Sequence, residues 1–212
     1  MYSSSVIISI KADVSKSLKA GTKIPIAPNA ANYFVGLNGT GKSVTFSTLA
    51  AKVQNSLKVK GNWMTPPPSY LMDKIEISGF DGIKDVYHFT AKSRQSQWID
   101  LDMAFSSASG IGSLKSSEGV NNQAELVSVF EKAKKDPALD ESTLYIFDEI
   151  DGCLDVRAKS IFFDRLIPAL KGTVIICSHD CLFLKARSLF DFTDCKVKTT
   201  QKFLMENSLS NI

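Results

Sequence analysis

Gly36-Leu37-Asn38-Gly39-Thr40-Gly41-Lys42-Ser43 is the stretch whose reading decides the fold. Its spacing is G-x-x-x-x-G-K-[ST], the pattern of a phosphate-binding loop. Glycines let the backbone curl tightly enough for successive N–H groups to point at one anion. Lys42 supplies a compact positive charge suited to the β- and γ-phosphates, and the Ser43 hydroxyl suits a Mg²⁺ ion. Asn32-Tyr33-Phe34-Val35 upstream reads as a buried strand, and Val44 to Val53 continues as a helix. That helix aims its positive end at the phosphates. Asn38, Gly39, Thr40, Gly41, Lys42, Ser43 and Val44 are the expected nucleotide-binding residues. A glycine-rich turn by itself would say little; strand before and helix after make this a nucleotide site.

The 212 residues, 44% hydrophobic and 22% charged, suit one globular domain with a full core. A formal net charge of +3 is too small to argue for nucleic acid by itself. No apolar run approaches a membrane span, and Met1 to Ile10 lacks the basic start of a signal peptide, so a soluble cytoplasmic protein is expected. The four cysteines are Cys153, Cys177, Cys181 and Cys195. Cys177-Ser178-His179-Asp180-Cys181 invites a zinc reading, but its spacing is not that of a zinc finger, and reduced core thiols are the plainer reading.

Along the chain, Val6 to Ile10 reads as a first strand, and Ile24-Pro25-Ile26-Ala27-Pro28 as an edge strand or turn. Thr65 to Ser69 is a rigid proline connector. From Lys74 to Met103, the runs Ile75-Glu76-Ile77, Val86-Tyr87-His88-Phe89 and Trp98 to Met103 suggest a small antiparallel meander, a β lobe over about residues 65–105. His88 reads as a packed or surface histidine. Ser106 to Ser117 is rich in Ser and Gly. Asn122 to Lys135 is an amphipathic helix with a capping box at Asn122 and Glu125, stopped by Asp136-Pro137. Lys132, Lys134 and Lys135 read as a solvated helix end rather than a nucleic-acid contact. Strand (Thr143 to Phe147), helix (Val156 to Leu170) and strand (Thr173 to Cys177) then form a βαβ unit. Phe190 to Lys198 gives one or two closing strands, and a short helix or tail ends the chain.

Leu144-Tyr145-Ile146-Phe147-Asp148-Glu149 is an apolar strand ending in two carboxylates. The C-terminal edge of an α/β sheet is where ligand chemistry sits. Asp148 is the expected second Mg²⁺ residue beside Ser43, and Glu149 stands where an acid can polarise an attacking water. Without the glycine loop the pair would be an ordinary acidic turn.

Here the sequence resembles the ABC-type ATPases. Asp148-Glu149-Ile150-Asp151-Gly152-Cys153-Leu154-Asp155 looks like their Walker B and D-loop, D-E-P-T-S-A-L-D, and Val174 to Asp180 looks like their switch strand ending in T-H-D. The resemblance covers about Asn32 to Asp180. It implies a dimer-interface role for Asp155 and a γ-phosphate sensor role for His179. Leu114 to Gly119 stands where the family carries L-S-G-G-Q, with Ser117 and Gly119 as counterparts and Glu118 in place of a glycine. No aromatic residue stands about two dozen positions before Gly36, where transporter-type members stack adenine, and Gln95 and Gln97 are the candidates for the family's Q-loop glutamine. The expected β lobe resembles the SMC and RecF-like branch more than transporter subunits.

The expected fold is therefore a P-loop NTPase α/β domain over residues 1–212, with a mostly parallel central sheet and a small antiparallel β lobe. The implied cofactors are ATP and Mg²⁺. The implied catalytic residues are Lys42, Glu149 and His179, with Ser43 and Asp148 on the metal. An ATP-dependent homodimer, or a pairing with a related ATPase subunit, would act as a switch or clamp on a partner protein or nucleic acid. A transporter's nucleotide-binding subunit and an ATP-stabilised assembly module remain the alternatives.

Overall fold

The computed structural model describes residues 6–57, 60–62, 67, 69–90, 135–149, 159–160, 162–178 and 188–209. In chain order the strands and helices begin with β1 (Val6–Ile10), β2 (Lys23–Ile26), β3 (Ala31–Val35), α1 (Lys42–Leu57), β4 (Lys60–Asn62) and α2 (Ser69–Met72). Next come β5 (Ile75–Ser78), β6 (Asp85–Thr90), α3 (Pro137–Glu141) and β7 (Thr143–Asp148). A π-helical turn (Phe162–Leu166) leads into α4 (Ile167–Ala169), followed by β8 (Thr173–Cys177), β9 (Ser188–Asp191), β10 (Lys196–Thr199) and α5 (Thr200–Leu209).

Seven strands form the main sheet in the order β10-β9-β3-β8-β7-β6-β4. All its pairings are parallel except β10 with β9. β7 and β8 are buried at every position, as strands covered on both faces must be. A second sheet, β2-β1-β5, is antiparallel and alternates buried with more exposed positions along β1 and β2, the pattern of a one-sided sheet. The fold is thus mixed α/β, with a mostly parallel central sheet and a small antiparallel one.

That antiparallel sheet is not the meander expected from Lys74 to Met103. Its strands are β1, β2 and β5, with Ile8 opposite Ile24 on one side and Ile77 on the other. The run Val86 to Phe89 lies instead in β6, parallel to β7, with Tyr87 opposite Tyr145 and Phe89 opposite Phe147. The physical reason is burial parity. In Ile75-Glu76-Ile77 the buried end residue Ile75 is followed by exposed Glu76, whereas Val86, His88 and Phe89 are buried on both parities and need cover on two faces. The third run, Trp98 to Met103, lies outside the described residues.

α1 fills the space between the two sheets. One core cluster joins Phe46, Leu49, Ala50 and Val53 of α1 to Ile8, Ile24 and Ile75 on one side and to Phe34, Leu144, Ile146 and Ile175 on the other. A helix covered from two sides buries much of its circumference: eight residues of α1 are buried, among them the apolar Phe46, Leu49, Ala50, Ala51 and Val53. The opposite face of the main sheet packs Tyr145, Phe147, Val174 and Ile176 under Phe162, Phe163 and Ile167, with Phe203 of α5. The helix expected from Val156 to Leu170 is present in its described part as the π-helical turn and α4. Pro168 sits at the start of α4, where the missing N–H removes a helical hydrogen bond and a widened turn absorbs the loss. The helix expected from Asn122 to Lys135 lies, apart from Lys135, outside the described residues; Pro137 opens α3, where a residue without an N–H costs nothing.

Candidate functional site

Strand alternation decides where the acids fall. Along β7, Leu144 and Ile146 face α1 while Tyr145 and Phe147 face away. Asp148 shares parity with the first pair, so the carboxyl is carried to the α1 face at the C-terminal end of the sheet. β3 ends at the same edge, two strands away across β8, and releases the chain into Gly36. Ser43 at the start of α1 is thereby brought toward the Asp148 carboxyl, with the Lys42 charge near enough to act on it. The Cys177 thiol from the end of β8 acts on it as well.

The loop itself is tightly held. Lys42 is 3% exposed, and its ammonium donates to the carbonyls of Gly36 at 2.7 Å and Leu37 at 3.2 Å. The Thr40 hydroxyl donates to the Leu37 carbonyl at 2.8 Å, and Thr45 closes the first turn of α1 on the Gly41 carbonyl through its N–H (2.9 Å) and its hydroxyl (2.7 Å). Leu37, Asn38 and Gly39 stand exposed at the tip. Gly36 has φ +140, and a Cβ there would lie 3.0 Å from the Phe192 Cβ, so neither the backbone nor the space admits a side chain. Phe34, Phe46 and Phe192 form an aromatic floor beneath the loop, with ring centroids 4.7 to 6.0 Å apart.

Two contacts on the loop were not visible in the sequence. The Ser15 hydroxyl donates to the Thr40 carbonyl at 2.7 Å while accepting from the Leu18 N–H at 3.0 Å. From the other side, the Leu37 N–H donates to the Thr193 hydroxyl at 3.3 Å. No spacing signal joins residues 25 and 156 positions apart; an isolated serine and an isolated threonine in turns look like any others.

Asp148 is 3% exposed and its Oδ1 makes no hydrogen bond. Burial pushes its carboxyl up to about 6; the Ser43 hydroxyl and the Lys42 charge pull the other way, and the Glu149 charge adds to the rise. A buried carboxylate oxygen left without a donor, beside a serine hydroxyl at a helix start, is the donor set of a hard divalent cation. The residues present therefore fit Mg²⁺. Glu149 follows with φ 57, a left-handed conformation rare for a residue with a side chain, and its N–H donates to the Cys177 carbonyl at 2.9 Å.

The structure thus brings together Asn38 to Val44, Asp148 and Glu149. Ser117, Gly119, Asp155 and His179 lie outside the described residues. His88 is buried in β6, as expected of a packed histidine. Among the described residues no helix is long and apolar enough to cross a membrane.

No protein-family model and no curated protein matches the sequence. Among solved structures the chain is similar to that of a bacterial Atm1-family ABC exporter with ATP bound, with a TM-score of 0.51 and 13% identity. The match covers 98% of this chain and 41% of the exporter's chain, so this chain spans less than half of its length. The likeness shows an ABC-type fold.

Proposed function

We propose that the chain binds ATP with Mg²⁺ and hydrolyses it, residues 1–212 acting as one ABC-type ATPase domain. The observation that carries this reading is the buried Asp148 carboxyl, acted on by the Ser43 hydroxyl and the Lys42 charge and with one oxygen left without a donor. In this reading Asn38 to Val44 wrap the phosphates with backbone N–H groups, and Lys42 exchanges loop carbonyls for phosphate oxygens. Ser43 and Asp148 hold Mg²⁺, which when bound supplies neutralisation of phosphate charge. Glu149 orients the attacking water and takes its proton. Positioning and charge stabilisation contribute most of the acceleration.

The resemblance extends this to a head-to-tail dimer. Ser117 and Gly119 of one chain would face the nucleotide of the other, Asp155 would lie at the interface, and His179 would sense the γ-phosphate. We favour a stand-alone switch or clamp of the SMC and RecF-like kind, acting on a partner protein or nucleic acid. A second reading, a transporter's nucleotide-binding subunit, is favoured by the exporter whose fold this chain shares. Salt-dependent binding to DNA or RNA would select the first reading, and co-purification with a membrane protein the second. The assignment itself is tested by calorimetric titration of the wild type and Lys42→Ala with Mg-ATP. Binding should be present in the first and absent in the second; equal affinity in both would sink it.

A further inference from the structure

Thr193 belongs to the turn between β9 and β10, far in sequence from the phosphate loop, and its side chain is exposed. Its hydroxyl accepts from the Leu37 N–H at 3.3 Å. That N–H and the Gly36 carbonyl belong to one peptide plane, and in a trans peptide they point in opposite directions. The Gly36 carbonyl accepts from Lys42 at 2.7 Å. The plane is therefore held from both sides, with Thr193 outside and Lys42 inside.

Thr193 is itself fixed. Its N–H donates to Oδ1 of Asp191 at 2.8 Å, and Oδ2 of Asp191 accepts from Lys198 at 2.8 Å. Burial works to raise the Asp191 carboxyl, but the Lys198 and Thr193 donors outweigh it and hold it below the usual carboxylate range. Lys198 is anchored in turn by Asp194 at 2.9 Å and by Glu206 of α5 at 3.0 Å. The neighbouring Phe192 donates its N–H to the Val35 carbonyl at 2.9 Å and lies against Gly36, which fixes the height of the turn over the loop.

From this geometry we propose that Thr193 is a positioning residue of the candidate site, setting the Gly36–Leu37 peptide plane and through it the resting place of the Lys42 ammonium. The proposal rests on the reading of Gly36 to Ser43 as a phosphate loop. An exposed threonine with no such role would tolerate replacement without change in the exchange of residues 36–41 or in Mg-ATP affinity.

The test uses the full chain and two variants, Thr193→Val, which keeps the shape and removes the hydroxyl, and Thr193→Ser, which restores it. Backbone hydrogen exchange over residues 36–41 is measured without nucleotide, and Mg-ATP affinity by titration. Thr193→Val should exchange faster over 36–41 and bind about fivefold more weakly, the scale of one hydrogen bond. Thr193→Ser should recover both, and the thermal midpoints should agree. Unchanged exchange in Thr193→Val would overturn the proposal, as would failure of Thr193→Ser to rescue. Faster exchange with undiminished affinity would also overturn it, since Lys42 would then not depend on the plane. If no form binds Mg-ATP while exchange still follows the hydroxyl, the ATP reading falls and the positioning role stands.

Discussion

The Glu149 amide donates to the Cys177 carbonyl at 2.9 Å, so β7 and β8 remain joined one residue beyond the last strand residue of β7. Continued in extended conformation, residue 149 would side with Tyr145 and Phe147 in the core under Phe162. Its φ of 57 breaks the alternation instead and leaves the carboxylate half-buried beside Asp148. Two consecutive acids are thereby given different surroundings: one sealed against α1, the other free of the strand's parity.

Glu149→Gln should keep Mg-ATP binding and lower hydrolysis on the order of 10²–10⁴-fold, since only proton transfer is removed. In the dimer proposed above it should also trap an ATP-bound pair, read as a doubled mass by light scattering on a sizing column. Hydrolysis at the wild-type rate would remove Glu149 from the chemistry.

Glu149→Gly tests the backbone rather than the carboxylate. Glycine adopts φ 57 freely, whereas a side chain in a sparsely populated region costs on the order of 1–3 kcal/mol. The variant should be inactive, yet its thermal midpoint should be no lower than that of the wild type. A clear fall would show that the left-handed residue is not strained.

Two buried groups give opposite dependences on pH in the metal-free protein. Burial lowers His88 from 6.5 to about 4, so the unfolded chain takes up its proton first; stability is full above 6.5 and is lost as pH falls toward 4. Burial raises Asp148 from 3.8 to about 6, so its contribution is full below 3.8 and is lost as pH rises through 6. Each amounts to about 3 kcal/mol across its window, and between pH 4 and 6 the two slopes nearly cancel. Asp148→Asn should therefore raise metal-free stability at pH 7 by about 3 kcal/mol and uncover the histidine slope. Urea midpoints at pH 4.5, 5.5 and 6.5 check this; a flat profile in Asp148→Asn would contradict the histidine assignment.

At the opposite end of β7 and β8, a Cβ on Gly172 would collide with the backbone carbonyls of Asp140 and Thr143. Backbone cannot move aside cheaply there, because Asp140 accepts from the Tyr145 hydroxyl at 2.8 Å and from the Lys171 N–H at 3.0 Å. Gly172→Ala should lose about 1–3 kcal/mol or more in urea denaturation without altering Mg-ATP affinity in the folded fraction. A variant as stable as the wild type would mean that the turn yields.

The phosphate loop, the acid-terminated strand β7 and the strand β8 were legible in the sequence because their signals are local. Gly36 to Ser43 carries its chemistry within eight residues, and Thr143 to Phe147 reads as a buried strand from composition alone. The sheet partners of Ile75–Ser78 and Val86–Phe89 were not legible. Both runs look like short strands, and only the cover available on one or two faces sends the first to β1 and the second to β7.

By itself, then, the sequence determined the α/β class, the glycine-rich loop between a strand and a helix, and the two acids at a strand's end. Each of these follows from residue type and from periods of two or 3.6 that hold within one element. Only the tertiary structure decided that Asp148 comes to Ser43 with one oxygen left without a donor, and that Ser15 and Thr193 grip the loop from either side. Those relations join residues up to 156 positions apart. They arise when parallel pairing of β3, β8 and β7 brings three strand ends to one edge, and no local pattern encodes which distant turn will meet the loop there.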